Sequence, residues 1–202
     1  MSLGFVHNPF NAADHAPGAL PWFESTPGEL AGLVDRALEA RAPMQMVGAH
    51  GTGKSTLLVH LEAAARERGS NVVLFRGSRG APLRRVLSLR GSSARPLVLV
   101  DEMEELGALT RIATLAAARL AGGAVVVSTH RDLGLDTLVT RAIDARTAAR
   151  VVDHLLVASR RTDLRPLSMR VLDSTLARHR GNLRDVLFEL YDVAERARSS
   201  VR

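Results

Sequence analysis

Gly48-Ala49-His50-Gly51-Thr52-Gly53-Lys54-Ser55 is the stretch on which the reading of the chain turns. It fits G-x-x-x-x-G-K-[ST] at every fixed position, the pattern of a loop whose backbone N–H groups cradle phosphates. Lys54 is the only lysine in 202 residues, and the rest of the 27 Lys and Arg residues are arginine. A chain that uses arginine everywhere else keeps one slim, flexible point charge where it must reach between two phosphates, a task ill suited to a wide planar fork. Gly48, Gly51 and Gly53 let the loop turn with its N–H groups inward, and the helix start behind them adds partial positive charge. The expected nucleotide contacts run from Gly48 through Ala49, His50, Gly51, Thr52, Gly53, Lys54 and Ser55 to Thr56. Lys54 reaches the β- and γ-phosphates and the Ser55 hydroxyl ligates Mg²⁺.

The flanks have the right character for such a loop. Pro43 to Val47 is a short apolar run suited to a buried strand. Ser55 to Arg68 carries Leu57, Leu58, Leu61 and Ala65 on one helical face. Further on, Pro96-Leu97-Val98-Leu99-Val100 ends in Asp101-Glu102, a continuous apolar run that reads as a parallel strand buried on both faces. Ligands of parallel α/β sheets bind beyond the carboxyl ends of the strands. Asp101 therefore faces the same pocket as Lys54 and holds Mg²⁺ through water, while Glu102 polarises the water that attacks the γ-phosphate. Glu104 and Glu105 read as a solvated helix start. The next strand, Ala124 to Val127, ends in Ser128-Thr129-His130; Thr129 is favoured to meet the γ-phosphate, with Ser128 and His130 as the alternatives.

Other stretches complete an α/β core. Thr26-Pro27-Gly28-Glu29 reads as the cap of a helix with Leu30, Leu33, Val34, Ala37 and Leu38 as its buried stripe. Asn71–Phe75 and Leu138–Thr140 are further candidate strands; Leu83–Leu89 and Leu106–Leu120 are candidate helices. After Ala145 the pattern turns helical: Thr147–Ser159, Ser168–His179 and Leu183–Arg198. The expectation is an α/β domain over residues 1–145, with a parallel sheet flanked by helices, and a small helical lid over 146–202.

Composition narrows the function classes. With no cysteine, disulfides and thiolate metal sites are excluded. No apolar run approaches the roughly 20 residues that span a bilayer, and the N-terminus lacks a signal-peptide pattern, so the expectation is a cytoplasmic protein with no membrane span. The formal charge of +6 and sequence pI of 11.1 suit nucleic-acid contact. Arginine is nevertheless spread along the chain, with pairs such as Arg84-Arg85 and Arg160-Arg161 as the densest groups, which is also what a compositional bias of the genome produces.

On these residues the chain resembles the AAA+ class of P-loop ATPases. Gly48–Ser55 looks like its Walker A motif, Leu97–Glu102 like its Walker B motif, and Ser128-Thr129 falls where the class places sensor 1. Gly181-Asn182-Leu183-Arg184-Asp185 is similar to the opening of the last lid helix, which makes Arg184 the counterpart of the sensor 2 arginine. Asn8-Pro9-Phe10 looks like the N-terminal segment that lines the adenine pocket in origin-recognition, secretion and transposition ATPases. The resemblance implies ATP and Mg²⁺ as ligands, and hydrolysis with Glu102, Lys54, Thr129 and Arg184 as its catalytic residues. It also implies a macromolecular partner such as DNA or a protein of a DNA transaction. A nucleotide-dependent homo-oligomer follows too, in which Arg131 or Arg141 is the candidate arginine finger.

Two other classes bear on the same motif. A small-molecule P-loop kinase would need an arginine-rich lid over an acceptor pocket, and Asp101-Glu102 suits water activation better. A non-hydrolysing, ATP-dependent scaffold would have no need of Glu102. A transporter-type ATPase is disfavoured because the stretch between Lys54 and Asp101 leaves no room for the helical subdomain that carries its signature.

Overall fold

The computed structural model describes residues 8–11, 16, 18–159 and 169–199. Arg160-Arg161, Pro17 and the Ser168 start of the second lid helix lie outside them. Two compact units emerge. One is Glu24–Arg141; the other comprises the described residues of Met1–Phe23 and of Ala142–Arg202. The expected division at 145/146 set the N-terminal segment with the sheet, whereas its described residues gather with the C-terminal helices.

In chain order the first unit runs α1 (Glu29–Glu39), β1 (Met44–Gly48), α2 (Lys54–Glu67), β2 (Val72–Arg76), α3 (Leu83–Leu87), β3 (Leu97–Asp101), α4 (Ala108–Leu120), β4 (Ala124–Thr129) and β5 (Asp136–Arg141). Short 3₁₀ turns at Gly77–Arg79 and Met103–Glu105 follow β2 and β3. The five strands form one parallel sheet in the order β2-β3-β4-β1-β5. β4 is inserted between β1 and β3, so its carboxyl end lies between the glycine loop and the acids.

Side chains alternate across the sheet, and this sorts the core. Val98, Val100, Val125 and Val127 pack with Val86, Leu89, Ala117 and Ala118 on the α3–α4 side. Leu97, Leu99 and Val126, also buried, point to the other face, where α2 lies with its buried Leu57, Leu58, Leu61 and Ala65. Strands β3 and β4 are buried along their whole length, as continuous apolar runs in a doubly covered parallel sheet must be.

The start of α1 differs from expectation. Gly28 is its N-cap and no cap side chain bonds there. Glu24 supplies the acceptors instead: Oε2 takes the Gly28 N–H at 3.1 Å and Oε1 the Leu30 N–H at 2.9 Å. A carboxylate from outside the helix meets its orphan donors, so the Thr26 hydroxyl is not needed.

The second unit contains α5 (Ala145–Ala158), α6 (Met169–Arg178) and α7 (Leu183–Ser199). Val151, Val152, Leu155, Leu172, Leu176, Val186, Leu187 and Leu190 make its core, together with Phe10. Asn8 fastens the N-terminal segment: its Nδ2 donates to Tyr191 O at 3.1 Å and Glu195 Oε1 at 2.9 Å, and its Oδ1 accepts from Phe10 N at 3.1 Å.

Candidate nucleotide site

Gly48 closes β1 at the point where the chain can least tolerate a side chain. A Cβ there would lie 2.6 Å from Arg141 O and 2.8 Å from Thr52 Oγ1. The Thr52 hydroxyl donates to Ala49 O at 2.8 Å, pinning the loop across its middle. Lys54 opens α2, is buried, and turns its ammonium back into the loop. Nζ donates to Gly48 O at 2.5 Å and Ala49 O at 2.8 Å, and stands 3.1 Å from His130 Nδ1. Burial holds this ammonium below its ordinary value, while the carboxylates of Glu104, Asp101 and Glu102 pull it back up. Ser55 and Thr56 follow on the first turn of α2, both half-buried.

The acids converge on the same edge. Register pairs Leu97 with Ala124 and Leu99 with Val126, so alternation places Asp101 and Ser128 on the α2 side together. Ser128 Oγ donates to Asp101 Oδ1 at 2.6 Å and accepts the Glu102 N–H at 2.9 Å. Arg76, the last residue of β2, lies 3.3 Å from Asp101 Oδ2 and 3.5 Å from Glu102 Oε2. Glu102 has φ 55° and ψ 56°, a left-handed conformation that costs a non-glycine residue about 1–3 kcal/mol. Its carbonyl rests against Gly77, where a Cβ would stand 2.2 Å from that oxygen.

Alternation also settles which residue at the end of β4 meets the loop. Val125 and Val127 face α3 and α4, and Thr129 shares their parity. Its hydroxyl, buried, donates to Arg131 O. Ser128 and His130 share the other parity; Ser128 is committed to Asp101 and Glu102, and His130 is the one that reaches Lys54. The structure thus brings together Lys54, Asp101, Glu102, Ser128 and His130 and turns the Thr129 hydroxyl elsewhere.

Two residues that the sequence reading left out of the site, Arg76 and Glu104, belong to the group, and His50 of the loop gains a partner there. Arg76 balances the two acids. Glu104, read as a solvated helix start, accepts the His130 N–H on Oε1 at 2.9 Å and approaches His130 Nε2 at 3.4 Å. Its Oε2 is buried and carries no hydrogen bond. His50, in the loop itself, stacks on His130 with ring centroids 3.6 Å apart and planes at 31°. Gln45 is buried in β1 and bonds Asp132, Leu133, Leu135 and Thr137, fixing the turn after His130. Its amide donates to Asp132 and is the main reason that carboxylate lies below its ordinary range.

Arg184 stands exposed at the start of α7, its N–H donating to Asn182 Oδ1 at 3.1 Å. Arg131 is exposed in the turn after β4, and Arg141 ends β5 with its carbonyl against Gly48.

The sheet order, the glycine loop at the head of α2 and the paired acids ending β3 make this the fold of the AAA+ class of P-loop ATPases. Solved structures agree. A DnaA replication initiator bound to AMPPCP and single-stranded DNA superposes with a TM-score of 0.56 at 17% identity, covering 94% of this chain and 66% of that one. A DNA replication initiation factor gives 0.53 at 17% identity, covering 84% and 62%. AMPPCP-bound DnaA from Aquifex aeolicus gives 0.50 at 19% identity, covering 77% and 58%. The chain spans under two thirds of the length of each. No protein-family model matches it, and no curated protein does.

Proposed function

We propose that the chain binds and hydrolyses ATP and uses the change of nucleotide to act on a macromolecular partner. The observation that carries this is the meeting of Lys54 with the Asp101–Glu102 pair at one edge of the sheet, with Ser128 of β4 and His130 just after it between them. Backbone N–H groups from Gly51 to Thr56 and the head of α2 receive the phosphates, and Lys54 neutralises charge as it builds on the transferred group.

The donor set suits Mg²⁺. Among the described residues no three His, Cys, Asp or Glu side chains gather to hold a metal, and Mg²⁺ needs no such cage, since one carboxylate, waters and the substrate's phosphates complete its shell. Ser55 and Asp101 are the residues that would hold it. When bound it supplies charge neutralisation at the phosphate oxygens. Glu102 is the proposed acceptor for the proton of the attacking water. Its half-buried carboxylate is held in place beside Arg76. At the end of β4, His130 takes the sensing position in preference to Thr129. Arg184 keeps its proposed role in nucleotide sensing.

DNA, or a protein of a DNA transaction, is the proposed partner. Net positive charge supports it, as does the single-stranded DNA bound by one structural neighbour. Nucleotide-driven homo-oligomerisation is proposed on the same footing. No helix among the described residues is long and apolar enough to cross a membrane, and cytoplasmic residence is part of the proposal. Nucleotide binding followed by fluorescence, alongside phosphate release, tests the reading. Lys54→Ala is expected to lose binding, and Glu102→Gln to bind ATP while losing turnover by at least about 10²-fold. Unchanged turnover in Glu102→Gln would remove that residue from its role.

A further inference from the structure

His130 Nδ1 lies between two groups that make opposite demands on it. Lys54 Nζ, at 3.1 Å, has only protons to offer, whereas Gly48 O, at 3.3 Å, has only lone pairs. A neutral ring with its proton on Nε2 accepts from Lys54 and turns that proton toward Glu104 Oε1, 3.4 Å away. The ammonium then has all three donors engaged, with Gly48 O, Ala49 O and His130. Lys54 can meet a phosphate only by giving up one of these partners.

We propose that His130, oriented by Glu104, is a proton-operated latch on the phosphate-binding lysine. The proposal rests on the nucleotide reading above and adds a control to that site. A proton taken from solvent onto Nδ1 turns the acceptor into a donor. The ring then donates to Gly48 O, competes there with Lys54, and repels the ammonium. Lys54 is released toward the phosphates, and the imidazolium adds a second positive charge at the same mouth.

The surroundings support both ring states. Glu104 faces Nε2 and stabilises the cation, and its buried, unbonded Oε2 is a further acceptor beside the cluster. His50 covers one face of the ring from the glycine loop, so loop conformation and latch move together. The other charged groups at this edge are Lys54 from α2, Asp101 and Glu102 from β3, and Arg76 from β2, which is engaged with those two acids. His130 retains 23% side-chain exposure, enough for exchange with solvent.

The test is the affinity of the whole chain for ADP between pH 5.5 and 8, the interval in which histidines change charge. Wild type and variants are compared at each pH so that protonation of the nucleotide cancels. At pH 8, His130→Ala is expected to bind about tenfold more tightly than wild type, the worth of one hydrogen bond from a charged donor. That advantage disappears by pH 5.5. His130→Asn, whose Oδ1 replaces the acceptor without titrating, should lose the rise in affinity on acidification. Glu104→Gln should blunt the rise, because the imidazolium loses the carboxylate that faces Nε2. Thermal melts of each variant identify any that fail to fold, and Asn is the conservative check on Ala. An His130→Ala profile parallel to that of wild type overturns the latch alone, provided that Lys54→Ala still abolishes binding. Absence of ADP binding by the wild type at every pH overturns the nucleotide reading as well.

Discussion

Gly77→Ala is the sharpest probe of how the sheet edge is built. Position 77 has an ordinary backbone, so the substitution carries no φ penalty, but the added Cβ would sit 2.2 Å from Glu102 O. Close C···O contacts settle at about 3.3–3.6 Å, so the two chains must part by roughly 1 Å. That oxygen is not free to move. It accepts the Glu105 N–H at 3.0 Å and so closes the 3₁₀ turn that carries Glu104. Glu102 is meanwhile kept in its left-handed conformation by the bond from its N–H to Ser128. Overpacking of this kind costs about 1–3 kcal/mol, which lowers the melting temperature by roughly 4–12 °C for a domain of this size. If Glu102 takes the proton of the attacking water as proposed, a displacement near 1 Å costs on the order of 10²-fold in turnover. Thermal unfolding and phosphate release on the same preparation read both effects. Gly32→Ala is the control: it lies inside α1 with no positive φ and its Cβ would meet nothing within 4 Å, so stability should hold or rise by up to about 1 kcal/mol. A Gly77→Ala protein that melts and turns over like wild type would show that the contact does not constrain Glu102.

Two further outcomes follow. Asp144 caps α5 by accepting the Thr147 N–H at 2.7 Å, and that bond is the main reason its carboxyl lies below the ordinary value. A depressed folded value means stability present at neutral pH and lost as pH falls through it. Asp144→Ala should therefore cost about 1 kcal/mol at pH 7, and the cost should shrink as pH is lowered below the ordinary carboxylate range, read from urea melts along an acid series. Molecular mass measured with and without a non-hydrolysable ATP analogue should rise with the analogue, and DNA retention under the same conditions should fall steeply with salt. An unchanged mass removes the homo-oligomer, and no retention at low salt leaves a protein as the better partner.

Much of the α/β unit is legible in the sequence because its signals are local. The glycine loop is one contiguous motif, and Leu97–Asp101 is an apolar run whose polar end marks the ligand edge. What escapes is decided by register and by distance along the chain. Thr129 and His130 are neighbours in sequence but point to opposite faces, and only the pairing of Leu99 with Val126 reveals that Asp101 shares a face with Ser128 and His130. A parity count from Asp101 would have found this once β3 and β4 were paired. Arg76 is one arginine among many, 25 positions from Asp101. Glu104 looks like a solvated helix start because nothing near it in sequence announces the His130 N–H. The cap of α1 shows the same limit: Glu24 competes with Thr26 for the first N–H groups, and a longer carboxylate approaching from outside the helix takes them.

The charges at the sheet edge are already paired internally, and this bears on how such a site can be controlled. Asp101 and Glu102 face Arg76, and Lys54 faces two carbonyls and an imidazole. Binding a triphosphate is then an exchange of partners, so its free energy is a difference between two sets of charge-assisted bonds. Such a difference is small compared with either set. A change in one member, such as the proton on His130, can shift occupancy tenfold without altering the loop that does the binding. Strengthening any internal pair should weaken nucleotide affinity, which is the reverse of what a site assembled only around its ligand would do.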